Sequence, residues 1–364
     1  MFNVISLKQD DPQWQAFYDL PDSIYQGDPN YIKPSLTAVK TSVNRPEFQG
    51  HQLPLIAVGG NQVLARMVVR RAQDLHGYAP DTIGLISFFE AKDNYPAVEA
   101  LFHKAIAWLK DKKIHHLIGP MDGDTWHKYR FNVGPFDRPP FMMEPYNPPY
   151  YGTFWERFGF RVLAKYFSKH VNSKTVVPLM EKYYRRAEQN GFTFRSFHVK
   201  QFENELKILY DLSCQNFAGN YFYTPILLDD FCGLYVEAKA IIDKRLVWFC
   251  QDKEGEYCGF IFSFPDYFLA LQSMHGQHGL VSKLKFVVNR RKAATLNIKT
   301  IGVTPRYRGR GLSQALMYKA YFEGSQMGLH QANLCLIHEE NVSAKLDAGQ
   351  GRITRNYHLY EYQF

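Results

Sequence analysis

A chain of 364 residues, 46% apolar and 21% charged, has the length of two ordinary domains and the composition of a globular fold with a sizeable core. It excludes a membrane-spanning helix, because no apolar run approaches the ~18 residues required, and MFNVISLKQDDPQW lacks a secretion signal's layout; a cytoplasmic protein is expected. The odd five cysteines follow no disulfide or metal spacing, and the net charge of +8 gathers between Lys283 and Arg310, where nine Lys or Arg meet no acidic residue.

Residues 2–7 read as an opening strand and 12–25 as a helix entered through Asp10 and Asp11. Leu53–Val58 and Val63–Arg71 flank Gly59-Gly60-Asn61, a strong hairpin signal. A strand over Thr82–Glu90 leads to a helix over Tyr95–Lys112, whose Val98, Leu101, Phe102, Ala105 and Leu109 form one apolar stripe, and a strand follows at His115–Pro120. Residues 119–151 combine prolines, which hold an extended loop, with aromatics suited to lining a groove. Gly152–Phe158 is a short helix ended by Gly159, and Phe160–Val171 a strand.

The second half opens with a helix at Pro178–Gln189 and a strand at Phe192–Val199, then helices over Phe202–Phe217 and Leu227–Ile242. Leu246–Cys250 and Tyr257–Phe264 pair across Lys253-Glu-Gly255-Glu, and Phe268–Arg291 is an insertion of uncertain form. Thr295–Val303 is a β-branched strand stopped by Pro305. Leu312, Ala315, Leu316 and Ala320 then recur at helical spacing until Gly328. A strand at Ala332–Ile337, a short helix at Asn341–Ala348 and a strand at Asn356–Tyr362 complete the chain. The two halves repeat one order of elements.

Between that strand and helix lies Arg306-Tyr-Arg308-Gly309-Arg310-Gly311. Its glycines allow a sharp turn and close backbone approach, and the following helix offers unpaired amides and a positive dipole end, so the turn suits a phosphate or pyrophosphate. Neither a dinucleotide Gly-x-Gly-x-x-Gly nor a P-loop Gly-Lys-Ser/Thr is present. Val303-Thr-Pro305 with Arg306-x-x-Gly309-x-Gly311 resembles motif A of the GNAT acyltransferases. The GPM-containing strand, Pro139-Pro140 and Tyr146-Asn-Pro-Pro-Tyr-Tyr151 make the whole chain similar to a family of bacterial tandem-GNAT proteins that includes the bacterial ceramide synthases.

That resemblance implies an α/β fold with mixed sheets, two GNAT units in tandem: an N-terminal unit at 1–173, a linking helix at 174–191 and a C-terminal unit at 192–364. It implies acyl-CoA or acetyl-CoA as co-substrate, held by Ile301, Gly302, Val303, Arg306, Arg308, Gly309, Arg310, Gly311 and Leu312, with Asn341 capping the last helix and touching the pantetheine arm. The N-terminal counterpart of the turn, Glu90-Ala-Lys-Asp-Asn94, lacks glycine and carries acid, so that half is expected not to bind CoA. The reaction implied is N-acylation of an amine, possible acceptors including a sphingoid-type lipid amine, with peripheral contact between the basic face and an anionic inner-membrane surface. No nucleic acid partner is expected, since no nucleic-acid motif accompanies the charge.

Proton handling is less legible. The position where many relatives carry a proton-donating tyrosine is Ala348, and the position of a frequent carboxylate is Lys299, expected here as a charge partner rather than a base. The remaining candidates are Asp266 at the hairpin end as base, Tyr221 in the helix joint and Glu339 after the penultimate strand. No metal is expected, since His275 and His278 lack a third ligand at recognisable spacing. A small-molecule N-acetyltransferase, a non-catalytic acyl-CoA-binding protein and an aminoacyl-tRNA-dependent ligase of the same tandem fold are the alternatives.

Overall fold

A computed structural model describes residues 2–236, 239, 241–274 and 279–364. The first half runs β1 (Asn3–Ser6), α1 (Trp14–Ile24), α2 (Leu36–Val43), β2 (Gln52–Gly59), β3 (Gln62–Arg71), β4 (Gly84–Ala91), α3 (Tyr95–Asp111), β5 (His116–Gly119), β6 (Phe131–Gly134), α4 (Tyr150–Phe158) and β7 (Arg161–Asn172). The second runs α5 (Ser173–Gln189), β8 (Thr193–Ser196), α6 (Phe202–Phe217), α7 (Leu228–Tyr235), β9 (Val247–Gln251), β10 (Tyr257–Pro265), α8 (Phe268–Gln272), α9 (Leu280–Asn289), β11 (Thr295–Val303), α10 (Leu312–Gln326), β12 (Gln331–His338) and β13 (Arg352–Gln363).

Periodicity and turn residues located nearly all of these. Four were not located: α2, a two-turn helix capped by Ser35, β6, four residues inside the proline-rich run, and α8 and α9 within the Phe268–Arg291 insertion. The expected helix at 341–348 is only a 3₁₀ turn, Val342–Lys345, because Ala348 and Gly349 adopt left-handed backbone. Of the helix expected at 227–242, α7 covers Leu228–Tyr235; residues 237, 238 and 240 lie outside the described residues.

All strands join one mixed sheet in the order β1-β2-β3-β4-β5-β13-β7-β12-β11-β10-β9-β8, with β6 beside β13. The last strand of each half is thus exchanged: β13 pairs with β5, and β7 with β12. Pairing between β13 and β7 themselves joins the halves through an antiparallel ladder from Arg352↔His170 to Glu361↔Arg161.

The high aromatic content is mostly core. Phe89, Phe102, Phe131, Trp155 and Phe160 pack together under α3 and α4, with Phe131 and Trp155 ring centroids 5.1 Å apart. In the second half α5 lies against α10, where Tyr184 stacks on Tyr318 at 5.0 Å, and buried Leu312 and Leu316 anchor the helix that follows the glycine turn. Burial of side chains of this size contributes roughly 1.5–3 kcal/mol each, so the turn is carried on a rigid element.

Candidate active site

β11 and β12 run parallel from Thr295↔Gln331 to Ile298↔Leu334, and then part. The cause is local. β11 carries a bulge at Lys299, where Phe262↔Thr300 is followed by Ser263↔Ile298, and β12 is irregular at Cys335–Leu336, with Leu336 at φ +61°. Ser168 holds that irregularity by accepting the Leu336 N–H at 3.1 Å. Beyond it, Thr304 donates to the Cys258 carbonyl, so ladder alternation turns the N–H and C=O of Val303 away from β10, toward the open side. The Val303 carbonyl accordingly accepts from Arg308 Nε at 3.2 Å.

The splay leads directly to the glycine turn. Gly309 (φ +78°) and Gly311 (φ +80°) are left-handed, and a Cβ on Gly311 would stand 2.9 Å from Tyr183 Cδ1. Among the described residues, no backbone N–H from Gly309 to Gln314 donates to a protein acceptor, and α10 begins without a side-chain cap. Tyr307 donates to Asp252, which ties the turn to the β9–β10 hairpin. Arg306, Arg308 and Arg310 are exposed and have no carboxylate partner among the described residues. Amides, helix dipole and three cations together have the chemistry that suits an anion.

The first half closes the equivalent place. At the end of β4 the Ala91 N–H donates to Tyr151 Oη at 2.8 Å, and Tyr150 Oη donates to the Ala91 carbonyl at 2.8 Å. Tyr151 in turn donates to Glu90, as does Tyr25. Asn94 caps α3 by accepting the Ala97 N–H at 3.1 Å. Counterparts of the Val303 N–H and of the first α10 amides, which stay open, are therefore satisfied here by the Asn-Pro-Pro-Tyr-Tyr stretch and an Asn cap.

Lys299, on the bulge, is half-buried and makes no hydrogen bond to a described residue; burial and the nearby Arg130 guanidinium push its ammonium down to about 8. Arg130 was missed in the sequence, being one cation in a proline-rich run with no periodicity. It is buried at φ +67°, held between the rings of Tyr129 (3.9 Å) and Tyr166 (4.2 Å), and donates to the Leu336 carbonyl at 3.4 Å. Asn216 was missed too: its side chain covers Gly302, and its buried Oδ1 has no partner among the described residues.

The expected proton carriers are dispersed. Asp266 stands at the opposite end of β11, accepting the Met142 N–H at 2.8 Å and the Phe268 N–H at 3.2 Å; burial pushes its carboxyl up despite these bonds. Tyr221 is exposed, its ring 6.0 Å from His338 at the end of β12. Glu339 is exposed, and its N–H donates to the Lys165 carbonyl. Asn341 caps the 3₁₀ turn by accepting the Ser343 N–H at 3.0 Å. Phe136, Tyr146 and Tyr150 of the proline-rich run line a cavity of about 240 Å³, whose wall also carries Asp28, Arg138 and Arg355. Among the described residues no three His, Cys, Asp or Glu side chains are grouped to hold a metal; His275 and His278 lie outside them.

Residues 207–345, which contain the splay and the turn, match the model of the acetyltransferase (GNAT) family. The tandem GNAT protein from the clavulanic acid biosynthesis pathway superposes over 100% of this chain and 98% of its own, with a TM-score of 0.52 at 9% identity. The chain has the tandem GNAT fold. Among curated relatives, the Bacterial ceramide synthase of Caulobacter vibrioides (strain NA1000 / CB15N) is 23% identical over 95% of this chain and 94% of its own. Protein YghO of Escherichia coli (strain K12) is 24% identical over 72% of this chain and 68% of its own. Residues 207–345 thus carry a domain of the acetyltransferase (GNAT) kind, the fold of N-acyltransferases that use acyl-CoA or acetyl-CoA.

Proposed function

We propose that this enzyme moves a long acyl chain from CoA to a lipid amine of sphingoid type, using one acyl-CoA site per chain, in the C-terminal unit (192–364). The observation that carries the site is the run of unpartnered amides from Gly309 to Gln314 beside a splayed strand pair. Similarity to the Bacterial ceramide synthase along nearly the whole chain supports the acceptor class. The N-terminal unit (1–173), sealed at Ala91, serves to wall the groove, and 174–191 links the two.

In this reading the pyrophosphate rests on Gly309–Leu312 with Arg306, Arg308 and Arg310, while Ile301, Gly302 and Val303 bond the pantetheine arm and Asn341 touches it from the other strand. The amine nitrogen attacks the thioester carbonyl, the C–N bond forms, and the C–S bond breaks to release CoA as thiolate. The Val303 N–H faces the developing oxyanion. Lys299, in its neutral form, takes the proton from nitrogen. Asp266, Tyr221 and Glu339 are the alternative proton carriers, to be compared by substitution in the same turnover assay.

A second reading, transfer of acetyl to a small amine, draws on the polar wall of the 240 Å³ cavity. Calorimetric titration with CoA, acetyl-CoA and palmitoyl-CoA, the last below its micelle concentration, separates the two. Tighter binding of the palmitoyl thioester, with thiol release in the presence of a sphingoid amine, is the expected result. Equal affinity for acetyl-CoA and CoA, with turnover only on small amines, would overturn the lipid assignment.

A further inference from the structure

The insertion before β11 holds a helix whose polarity is inverted relative to the body of the protein. α9 packs inward through buried Ser282 and half-buried Phe286, whose ring lies 5.7 Å from that of Tyr267. Leu280, Val281, Leu284, Val287 and Val288 all face solvent, four of them more than half exposed, and Leu269 of α8 is exposed as well. At about 100° per residue these five occupy an arc of roughly 120° centred opposite the packed side, with Lys283 and Lys285 at its two edges. Arg290, Arg291 and Lys292 follow, all exposed. From Leu280 to Arg310 there is no acidic residue.

A globular surface does not spend an apolar helix face on water without a partner. The charge on this one selects the partner. Lysines flanking an apolar stripe, backed by a further cationic cluster, match the boundary of an anionic bilayer, where the stems lie along apolar surface and the ammonium groups reach phosphate. Because no helix among the described residues is long and apolar enough to cross a membrane, such an attachment would be interfacial.

We propose that α9, with Leu269 and the Arg290–Lys292 cluster, docks this enzyme on an anionic lipid surface. The position has a consequence for catalysis. α9 leads into the Thr295 end of β11 and the CoA turn follows its Val303 end, so the two lie about 26 Å apart along the strand, at 3.3 Å per residue. The docked enzyme holds the nucleotide end of the groove away from the bilayer and the acyl end toward it. This orientation rests on the lipid-amine reading; the docking surface does not.

The test is co-sedimentation with vesicles of phosphatidylcholine alone and with 30% phosphatidylserine, without acyl-CoA or amine. At least tenfold stronger binding to the anionic vesicles is expected, lost in high salt and reduced at least tenfold in Leu284→Asp/Val288→Asp and in Arg290→Glu/Arg291→Glu, with thermal melting unchanged. No vesicle binding, or binding indifferent to both variants, would overturn the proposal. So would a concentration-dependent dimer in light scattering that Leu284→Asp/Val288→Asp dissolves, since the occupant would then be a second copy. Failure of the lipid-amine reading shows separately: vesicle binding without turnover of any lipid amine leaves the docking surface standing, while turnover in detergent without vesicle binding removes docking alone.

Discussion

Replacing Gly309 with aspartate tests the cradle at its most exposed point. A Cβ at this position meets nothing within 4 Å, so the substitution disturbs no packing. Its left-handed φ of +78° still costs a non-glycine residue about 1–2 kcal/mol of folded-state stability. That cost is shared by Gly309→Ala, which serves as the control. The aspartate adds a charge about 6 Å from a ligand pyrophosphate of charge about −2. Coulomb's law then gives a repulsion of about 1.4 kcal/mol at the dielectric of water and about 5.5 kcal/mol at an effective dielectric of 20. Because the turn is exposed, the lower part of that range applies, and CoA affinity should fall roughly ten- to a hundredfold, at about 1.4 kcal/mol per decade. Raising the salt should narrow the gap between Asp and Ala variants. Calorimetry with CoA, alongside thermal melts, reads both parts. An aspartate variant that binds CoA as tightly as the alanine control at low salt would refute the placement of the pyrophosphate.

The proposed role of Lys299 predicts a pH profile: as its ammonium is held near 8, the neutral base is scarce below that pH, and kcat/KM should rise through about 8 and then level. Lys299→Gln should lower the rate roughly 10²–10⁴-fold and remove that limb while the limb of the free amine persists; an unchanged profile in the variant would exclude Lys299 as base. Asp124 offers a stability test. Burial alone would raise its carboxyl, but His127 and Arg45, at 2.7 and 2.9 Å, outweigh burial and hold it at about 2. A lowered carboxylate stabilises the fold above its unfolded-state value near 4 and loses that contribution as pH falls through about 2, so Asp124→Asn should cost about 2 kcal/mol in urea unfolding at pH 7, the gap closing in acid. A gap that stays constant with pH would show that the ion pairs do not carry it. Finally, Tyr151→Phe strips the acceptor from the Ala91 N–H and should cost about 1–3 kcal/mol without creating a second CoA site; a stoichiometry of two would mean that this plug alone silences the first half.

The residues of the cradle were legible in the chain because everything that makes it is local. A β-branched strand, two glycines and a helical stripe within thirty residues determine their own backbone, and a phosphate cradle built of amides needs little else. The sealed counterpart was half legible: Glu90-Ala-Lys-Asp-Asn94 lacks glycine, but the tyrosines that occupy its strand end come from some sixty residues later. Hydrogen bonds of that separation leave no periodic trace.

Chain order and spacing alone thus determined two repeated α/β units and the glycine turn between β11 and α10, where the pyrophosphate is proposed to rest. Tertiary structure decided the rest. The exchange of β7 and β13 depends on which edge each strand meets, and both are half-buried strands of similar pattern that would serve either sheet. The environment of Lys299 depends on Arg130, brought to the splay by a loop nearly 170 residues away in the chain. A side chain's charge state follows from burial and from neighbours in space, and these come into being only when the two halves close on one another.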